Sequence, residues 1–302
     1  MNRTNTAPMR PDDWVIGALG VWMGTPTDGW RRLGPYTYVT NDLAIDWARP
    51  DRAANIYVAA GHGLWLASGD PDVRWRQLHD ETLTEVTAVY QLPTADVIAA
   101  GTYGVARATT DDIGMPRWCS QTEDHVPDER FTNCLLIDET GPWLAGTEAG
   151  VLVSDDGGLH WRLSDLSASA VRSLLHREDH WLAGTDTQGL WRSEDGHQWT
   201  AIETPTRSVF SIAESSGRLI LGGYDGIHVQ SEEGWRRAGP RALIRCLAAR
   251  EDVWLAGADP GGLWCSSDEG VSWQQTGSFV SVHAIYPAQV SGSSVSAQER
   301  PT

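Results

Sequence analysis

Two recurring positions in this chain carry the residues whose types suit binding chemistry. One is a short turn framed by glycines, and the other is the second residue of an aliphatic-x-small-aliphatic motif. The turns hold His62, Tyr103, Glu148, Asp186, Tyr224 with Asp225, and Asp259. The motif positions hold Asn133, Arg172, Arg245 and His283, together with Thr87 and Phe210. Arginine binds anions, carboxylates accept from hydroxyls or bind cations, and aromatic rings stack, so the set predicts a polar-ligand or partner site.

A purely structural interpretation of these residues stays open. Charged side chains in surface turns are usually solvated, and an arginine of one repeat can pair with carboxylates of its neighbours. Arg172 and Arg245 are the sharpest case, because other copies hold Thr, Asn, Phe or His and the fold does not require a guanidinium there. An unpaired buried charge is costly, so each arginine must pair internally or serve a ligand.

An internal repeat must position these residues. Its clearest copy spans 142–161 and reads PWLAGTEAGVLVSDDGGLHW. Its apolar runs are only about four to six residues long and are bounded by glycine, which predicts short strands rather than helices. A glycine followed by an aliphatic residue recurs seven times, 36 to 46 residues apart, at Gly20, Gly63, Gly104, Gly150, Gly189, Gly226 and Gly262. That period is typical of a β-propeller blade.

The aliphatic-x-small-aliphatic motif predicts the innermost strand of each repeat, where small residues suit the crowded axis. It recurs at 86–89, 132–135, 171–174, 209–212, 244–247 and 282–285, and the stretch 42–45 fits it poorly. The chain begins with the second strand of a repeat, WVIGA, and its last motif follows the seventh copy. We therefore expect the C-terminal strand to complete the first repeat and close the ring, which would leave no free sheet edge.

The polar turns carry a family resemblance. Ser154-x-Asp156-x-Gly158-x-x-Trp161 and 266–273 resemble the Asp-box, or BNR, repeat. The chain is similar to the photosystem II assembly-factor-like and Vps10/sortilin-like propellers. The repeats and the resemblance together predict an all-β, single seven-bladed propeller of four-stranded antiparallel blades over 13–288. We also expect a flexible stretch at 1–12 and, from its serine-rich composition, a disordered tail at 289–302. A sialidase would carry an Arg-Ile-Pro segment near its start, and this chain has none.

Composition narrows the function. The formal net charge is −17, and the chain has no lysine, so all 23 basic residues are arginine. That charge argues against nucleic acid or an anionic membrane as a partner. The acidic, lysine-free composition has two possible causes, adaptation to high salt and GC-rich coding, and the sequence does not decide between them. No apolar run reaches membrane-spanning or signal-peptide character, which predicts a cytoplasmic protein.

The cysteines, Cys119, Cys134, Cys246 and Cys265, have no C-x-x-C spacing, so we expect free thiols. His62 and His283 are too few for a metal site, and the sequence predicts neither metal nor cofactor. The favoured function is a non-catalytic, monomeric scaffold that binds a protein or a small polar or anionic ligand on the channel face opposite the Asp-boxes. The alternative is a glycoside hydrolase or lyase that uses Glu148 and Asp186 at the channel mouth.

Overall fold

The structure is a computed structural model that describes residues 9–46, 53–69, 75–79, 83–110, 116–123, 126–138, 140–177 and 179–288. The predicted tail 289–302, and residues 1–8 of the predicted flexible N-terminus, lie outside the described residues. The described part of the chain is almost entirely strand, with one short 3-10 turn at Pro127–Glu129. Its helical content includes nothing long and apolar enough to cross a membrane.

Most strands form four-stranded antiparallel sheets in which neighbours along the chain pair with each other. These sheets are β6–β9 (Val86–Gln91, Val97–Gly101, Gly104–Thr110, Pro116–Ser120), β10–β13 (Thr132–Leu136, Trp143–Thr147, Gly150–Ser154, Arg162–Ser167), β14–β17 (Val171–Arg177, His180–Thr185, Leu190–Ser193, Thr200–Ile202), β18–β21 (Ser211–Ser215, Arg218–Gly223, Gly226–Ser231, Gly234–Ala238) and β22–β25 (Ile244–Arg250, Val253–Ala258, Gly262–Ser266, Gln274–Thr276). The predicted four-stranded antiparallel unit is confirmed in these five sheets.

The remaining strands form one six-stranded sheet in the order β26-β1-β2-β3-β4-β5. Its members are β1 (Trp14–Thr25), β2 (Gly29–Asp46), β3 (Ala53–Ala60), β4 (Gly63–Gly69), β5 (Trp75–Gln77) and the C-terminal β26 (Ala284–Pro287). Two of these strands change partner along their length. Residues 14–17 of β1 pair with β26, and β1 pairs with β2 from Leu19 onward. Gly20, at φ +80°, lies where the register with β2 shifts. The end of β2 then pairs with β3.

The hydrophobic core lies between successive sheets. Leu144, Val151 and Val153 of the β10–β13 sheet pack on Val171 and Trp181 of the β14–β17 sheet, and all five are buried. Alternate residues of a strand point to opposite faces of its sheet, and both faces of β11 are covered: Leu144 lies in this cluster, while Trp143 and Ala145 lie in the cluster on the other side. Full burial of such a side chain contributes about 1.5–3 kcal/mol. Packing between sheets therefore holds each sheet against the next.

The first strand of each four-stranded sheet is the innermost, and these strands lie side by side. The second half of β2 lies against β6, which is followed by β10, β14, β18, β22 and β26 in turn. The last of them, β26, also contacts β2. The two ends of the described chain thus meet, since β26 pairs with β1 over Trp14↔Pro287 to Gly17↔Ala284.

Candidate functional site

The predicted site residues lie on one face, which we call the upper face. It consists of the turns between the second and third strands of each sheet and of the residues that lead into the innermost strands. Backbone hydrogen bonds join these two parts directly: Gly61 N–H donates to the Val39 carbonyl, Glu148 to Phe131, Asp186 to Ala170 and Asp259 to Leu243, at 2.9–3.2 Å. Turn residues and inner-strand residues are therefore neighbours within each sheet.

A β-bulge sets the direction of the motif side chains. In five innermost strands the register shifts across the second motif residue, which leaves Asn41, Thr87, Asn133, Arg172 and Arg245 outside the regular pairing. A bulge re-aims the side chain of its extra residue. Three of the five reach the next inner strand, where Asn41, Thr87 and Asn133 donate to the carbonyls of Val86, Thr132 and Val171 at 2.8, 2.5 and 3.2 Å.

Asn41 is a member of this set that sequence reasoning missed. The motif in β2 begins at Thr40, which pairs with Ala60, and not at Asp42 as the weak match at 42–45 indicated. The strand runs from the rim to the interior without a break, so no turn marks its start. The small-residue position is consequently held by Asp42, a carboxylate.

Arg172 lies at the centre of the densest polar cluster. Its Nη1 donates to Glu148 Oε1 at 2.7 Å and to Asn133 Oδ1 at 3.1 Å, and its Nη2 donates to Asp186 Oδ2 at 3.0 Å. Burial lowers the pKa of Arg172, but the bond to Asp186 and the charge of Glu148 outweigh it and leave the pKa raised. Four of the predicted site residues thus meet, and they meet as an internal ion-pair network.

The same geometry bears on the glycosidase alternative. Glu148 and Asp186 both accept from one guanidinium, so this arginine separates and holds them. A general acid must carry a proton and a general base must face a substrate or water. Either role would require breaking the Arg172 network first.

Arg245 lies in a much sparser environment. Its Nε is 3.6 Å from Asp259 Oδ2, and it makes no hydrogen bond to any residue that the structure describes. Asp259 is itself shared, because the Ser281 hydroxyl donates to its Oδ1 at 2.7 Å and His283 Nε2 lies 3.5 Å from Oδ2. Burial, followed by the charge of Arg245, lowers the pKa of His283 and so favours its neutral form. The guanidinium of Arg245 therefore keeps its donors available.

Phe210 separates the two arginines. The Arg172 and Arg245 guanidinium carbons lie 5.7 and 5.9 Å from its ring centroid, within cation–π range. The Tyr224 ring meets Phe210 edge to face at 4.9 Å and is 60% exposed. The sequence pattern already placed Phe210 at the same motif position as the two arginines, although Phe210 was not among the predicted site residues.

The other predicted site residues lie elsewhere on this face. His62 meets Tyr38 edge to face at 5.0 Å and lines an open hollow of about 470 Å³ with His79, Glu85 and Thr102. The Tyr103 hydroxyl is buried without a partner among the described residues, and burial raises its pKa. Asp225 Oδ2 lies 3.6 Å from His228 Nε2. These residues do not join the arginine clusters.

The two histidines considered for a metal site have different neighbours. Across the described ranges, no three His, Cys, Asp or Glu side chains converge in a way that would hold a metal ion. His283 is beside Asp259 and Arg245, whereas His62 is beside Tyr38.

The opposite, lower face carries the Ser-x-Asp turns. In one of them, Asp156 Oδ1 accepts from the backbone N–H groups of Leu159 and His160 at 3.0 and 2.9 Å, and the Gly158 N–H donates to Ser154 Oγ. Gly158 has φ +87°, and a Cβ there would meet the Trp143 ring at 2.7 Å, so only glycine fits. The turns at 193–199 and 266–273 repeat these bonds. Asp156, Asp195 and Asp268 are therefore engaged in holding hairpins.

Solved structures provide the comparison. No family model matches the chain, and no curated protein matches its sequence. The chain superposes on the WD40 β-propeller domain of Doa1 with a TM-score of 0.62, at 12% identity over 81% of this chain and 84% of that one. The fold is that of a β-propeller. YCF48 from Cyanidioschyzon merolae gives a TM-score of 0.60 at 14% identity, covering 80% of this chain and 86% of that chain.

A further match is the extracellular domain of BT4673 from B. thetaiotaomicron, with a TM-score of 0.62 and 14% identity. It covers 88% of this chain, which spans only 40% of that structure's length. Identities this low carry the fold and nothing about ligand or location.

Proposed function

We propose that this chain is a closed, seven-bladed propeller of the Asp-box type that acts as a non-catalytic cytoplasmic scaffold. Its upper face binds a partner protein or a small polar ligand. Blade number and closure follow if the six-stranded sheet counts as two blades, one made of β26, β1 and the start of β2, and the other of the end of β2 with β3, β4 and β5. The cycle of inner-strand contacts supports this division, because β26 lies between β22 and β2.

The distribution of exposed hydrophobic side chains carries the functional proposal. Among the described residues, five of the eight large hydrophobic side chains that are exposed lie on the upper face: Leu19, Val39, Phe131, Tyr224 and Val280. Leu19 and Val39 are also paired across β1 and β2. Apolar groups gathered on one face, beside an arginine with free donors, are typical of a protein interaction surface.

The cytoplasmic assignment rests on composition and on the cysteines. All four thiols are free in the structure. Free thiols suit a reducing compartment. Fractionation of native cells would test this part separately.

The experiment compares the two faces. Leu19→Glu and Val280→Glu place charges on the upper face, and Leu159→Glu with Val271→Glu do so at similarly exposed positions of the lower face. A partner captured from native cytosol, then purified and titrated, should lose affinity only for the upper-face variants. Equal loss in both pairs, or turnover of aryl-glycosides that disappears in Glu148→Gln, would contradict the scaffold.

A further inference from the structure

Arg172 and Arg245 occupy equivalent places two sheets apart. Each is the bulged residue of an innermost strand, with register shifts between Val171 and Ser173 and between Ile244 and Cys246. Each has an aspartate in the adjoining turn, Asp186 or Asp259, whose N–H donates to the residue before that strand. The chain therefore contains two versions of one arrangement, which can be compared group by group.

The Arg172 version is complete. Its own turn supplies Asp186 at 3.0 Å, the turn of the preceding sheet supplies Glu148 at 2.7 Å, and the preceding inner strand supplies the Asn133 amide oxygen. The Glu148 carboxylate faces both terminal nitrogens, with its second oxygen 3.5 Å from Nη2. An arginine in this position is thus satisfied by two carboxylates, one of which approaches its terminal nitrogens end-on.

The Arg245 version lacks the second carboxylate. Glu148 directly follows β11, and the residue that directly follows β19 in the corresponding turn is Tyr224. Phe210 replaces Asn133, so the preceding sheet offers rings in place of oxygens. Asp225, the nearest acid in that turn, is directed at His228. Within the part of the chain that the structure describes, Asp259 is the one carboxylate recorded as an ion-pair partner of Arg245, at 3.6 Å, and the Arg245 side chain is 37% exposed.

We propose that Arg245 binds a carboxylate from outside the chain, in the place that Glu148 fills for Arg172. This inference rests on the proposed binding role of the upper face and names the group recognised there. Arginine donates to a carboxylate through parallel N–H groups, which adds geometric specificity to charge. The exposed Tyr224 ring and the Phe210 beneath it favour a carboxylate on a short apolar stem, as in a glutamate side chain or a small organic acid.

Local charge favours a carboxylate over a phosphate. Asp259 is close to Arg245, so a doubly charged ligand would face a carboxylate with only one guanidinium to offset it. His283 supplies no second cation near neutral pH, because burial keeps it neutral. A single negative charge matches the single available guanidinium.

The test uses the full-length chain labelled with ¹⁵N, with the Arg245 side-chain Nε–Hε signal assigned by its loss in Arg245→Gln. Propionate, a glutamate-containing peptide capped at both ends, and inorganic phosphate are the three probes. Propionate or the peptide should shift the Arg245 signal saturably and leave Arg172 unmoved. Preference for the peptide would indicate a protein segment as the source, and equal affinity a small acid.

Matched variants sharpen the result. Binding by variants that lack the Arg245 signal is followed through the backbone amide of Asp259. Arg245→Lys keeps the charge but not the planar fork and should weaken binding by roughly tenfold. Tyr224→Glu supplies the missing carboxylate internally and should weaken external binding by roughly tenfold or more. Glu148→Gln keeps one acceptor oxygen but removes a negative charge from beside Arg172, and it should make the Arg172 signal respond to propionate as well.

Several outcomes would overturn the inference: no saturable shift at Arg245, binding retained in Arg245→Gln, or tighter binding of phosphate than of propionate. A partner that still binds Arg245→Gln through Leu19 and Val280 would leave the scaffold standing and remove the carboxylate site. Carboxylate binding at Arg245, together with no partner binding at the upper face, would support the carboxylate site and contradict the scaffold.

Discussion

The Tyr286 hydroxyl donates a 2.8 Å hydrogen bond to Asp42 Oδ1 across 244 residues of sequence. The other Asp42 oxygen accepts from the Val89 backbone N–H at 3.0 Å. One carboxylate therefore joins β26 and β6 to its own strand, β2, close to where β26 pairs with β1. The same position in other inner strands holds a small residue such as Ala88 or Ser173.

Removing this hydroxyl should weaken the junction. In Tyr286→Phe, Asp42 Oδ1 loses its donor while the ring is retained, so we expect the free energy of unfolding to fall by about 1 kcal/mol. Urea denaturation measures it. Tyr224→Phe, in an exposed turn, offers a control for the loss of a tyrosine hydroxyl. An equal loss in both variants would show that the bond to Asp42 has no special weight.

The pH dependence of stability should reveal Asp42. Burial raises its pKa, against the opposing effect of the bonds from Val89 and Tyr286, so the folded chain holds this proton more tightly than the unfolded chain. Stability then falls as pH rises from about 4, the unfolded value, through the raised folded value. Asp42→Asn lacks this titration. The unfolding free energy of the natural chain minus that of Asp42→Asn should therefore decrease with pH, and a flat difference from pH 4 to 7 would contradict it.

The Ser-x-Asp turns should give the opposite pH behaviour. The hydroxyl and backbone N–H of Ser272, and the hydroxyl of Ser266, lower the pKa of Asp268 to about 2. Its stabilising effect is then complete above about pH 4 and is lost as pH falls toward 2. Asp268→Asn should lower the melting temperature at pH 7 and flatten the loss on acidification. Asp252→Asn, in an exposed turn, is the control that should leave the melting temperature at pH 7 unchanged.

The repeat made the strands and turns predictable, because glycine spacing and apolar runs are local signals. The placement of turn residues beside motif residues followed from antiparallel connectivity alone. The ion-pair partners of the arginines could not be predicted from the sequence. Whether Arg245 meets a carboxylate depends on which residue follows β19 and on where the Asp225 side chain points. Asn41 was missed for a related reason: β2 carries an outer strand into an inner strand with no turn between them.

Loss of β26 should destroy cooperative folding. A chain ending at Gly277 lacks the strand that pairs with Trp14 to Gly17 and lies between β22 and β2, so it exposes two sheet edges. A chain ending at Ala288 keeps every described contact of β26. We expect a broad, low-temperature transition for the first and a melting curve like that of the full chain for the second. Equal melting temperatures for the two truncations would rule out the closed ring.

The two arginines should differ in their effect on stability. Arg172→Gln removes the cation between Glu148 and Asp186, and leaves two carboxylates facing each other with one amide to share. Hydrogen bonds to charged groups contribute about 1.5–3 kcal/mol, so the free energy of unfolding should fall by about that amount. Arg245→Gln gives up only a 3.6 Å contact to Asp259 and a ring contact, and should cost less than about 1 kcal/mol. Denaturation of both variants at low and high salt measures the difference. Asp259 keeps its hydrogen bond from Ser281 in this variant. A large fall in the free energy of unfolding of Arg245→Gln would therefore mean that the Arg245 guanidinium belongs to the internal ion-pair network and is not available to a ligand.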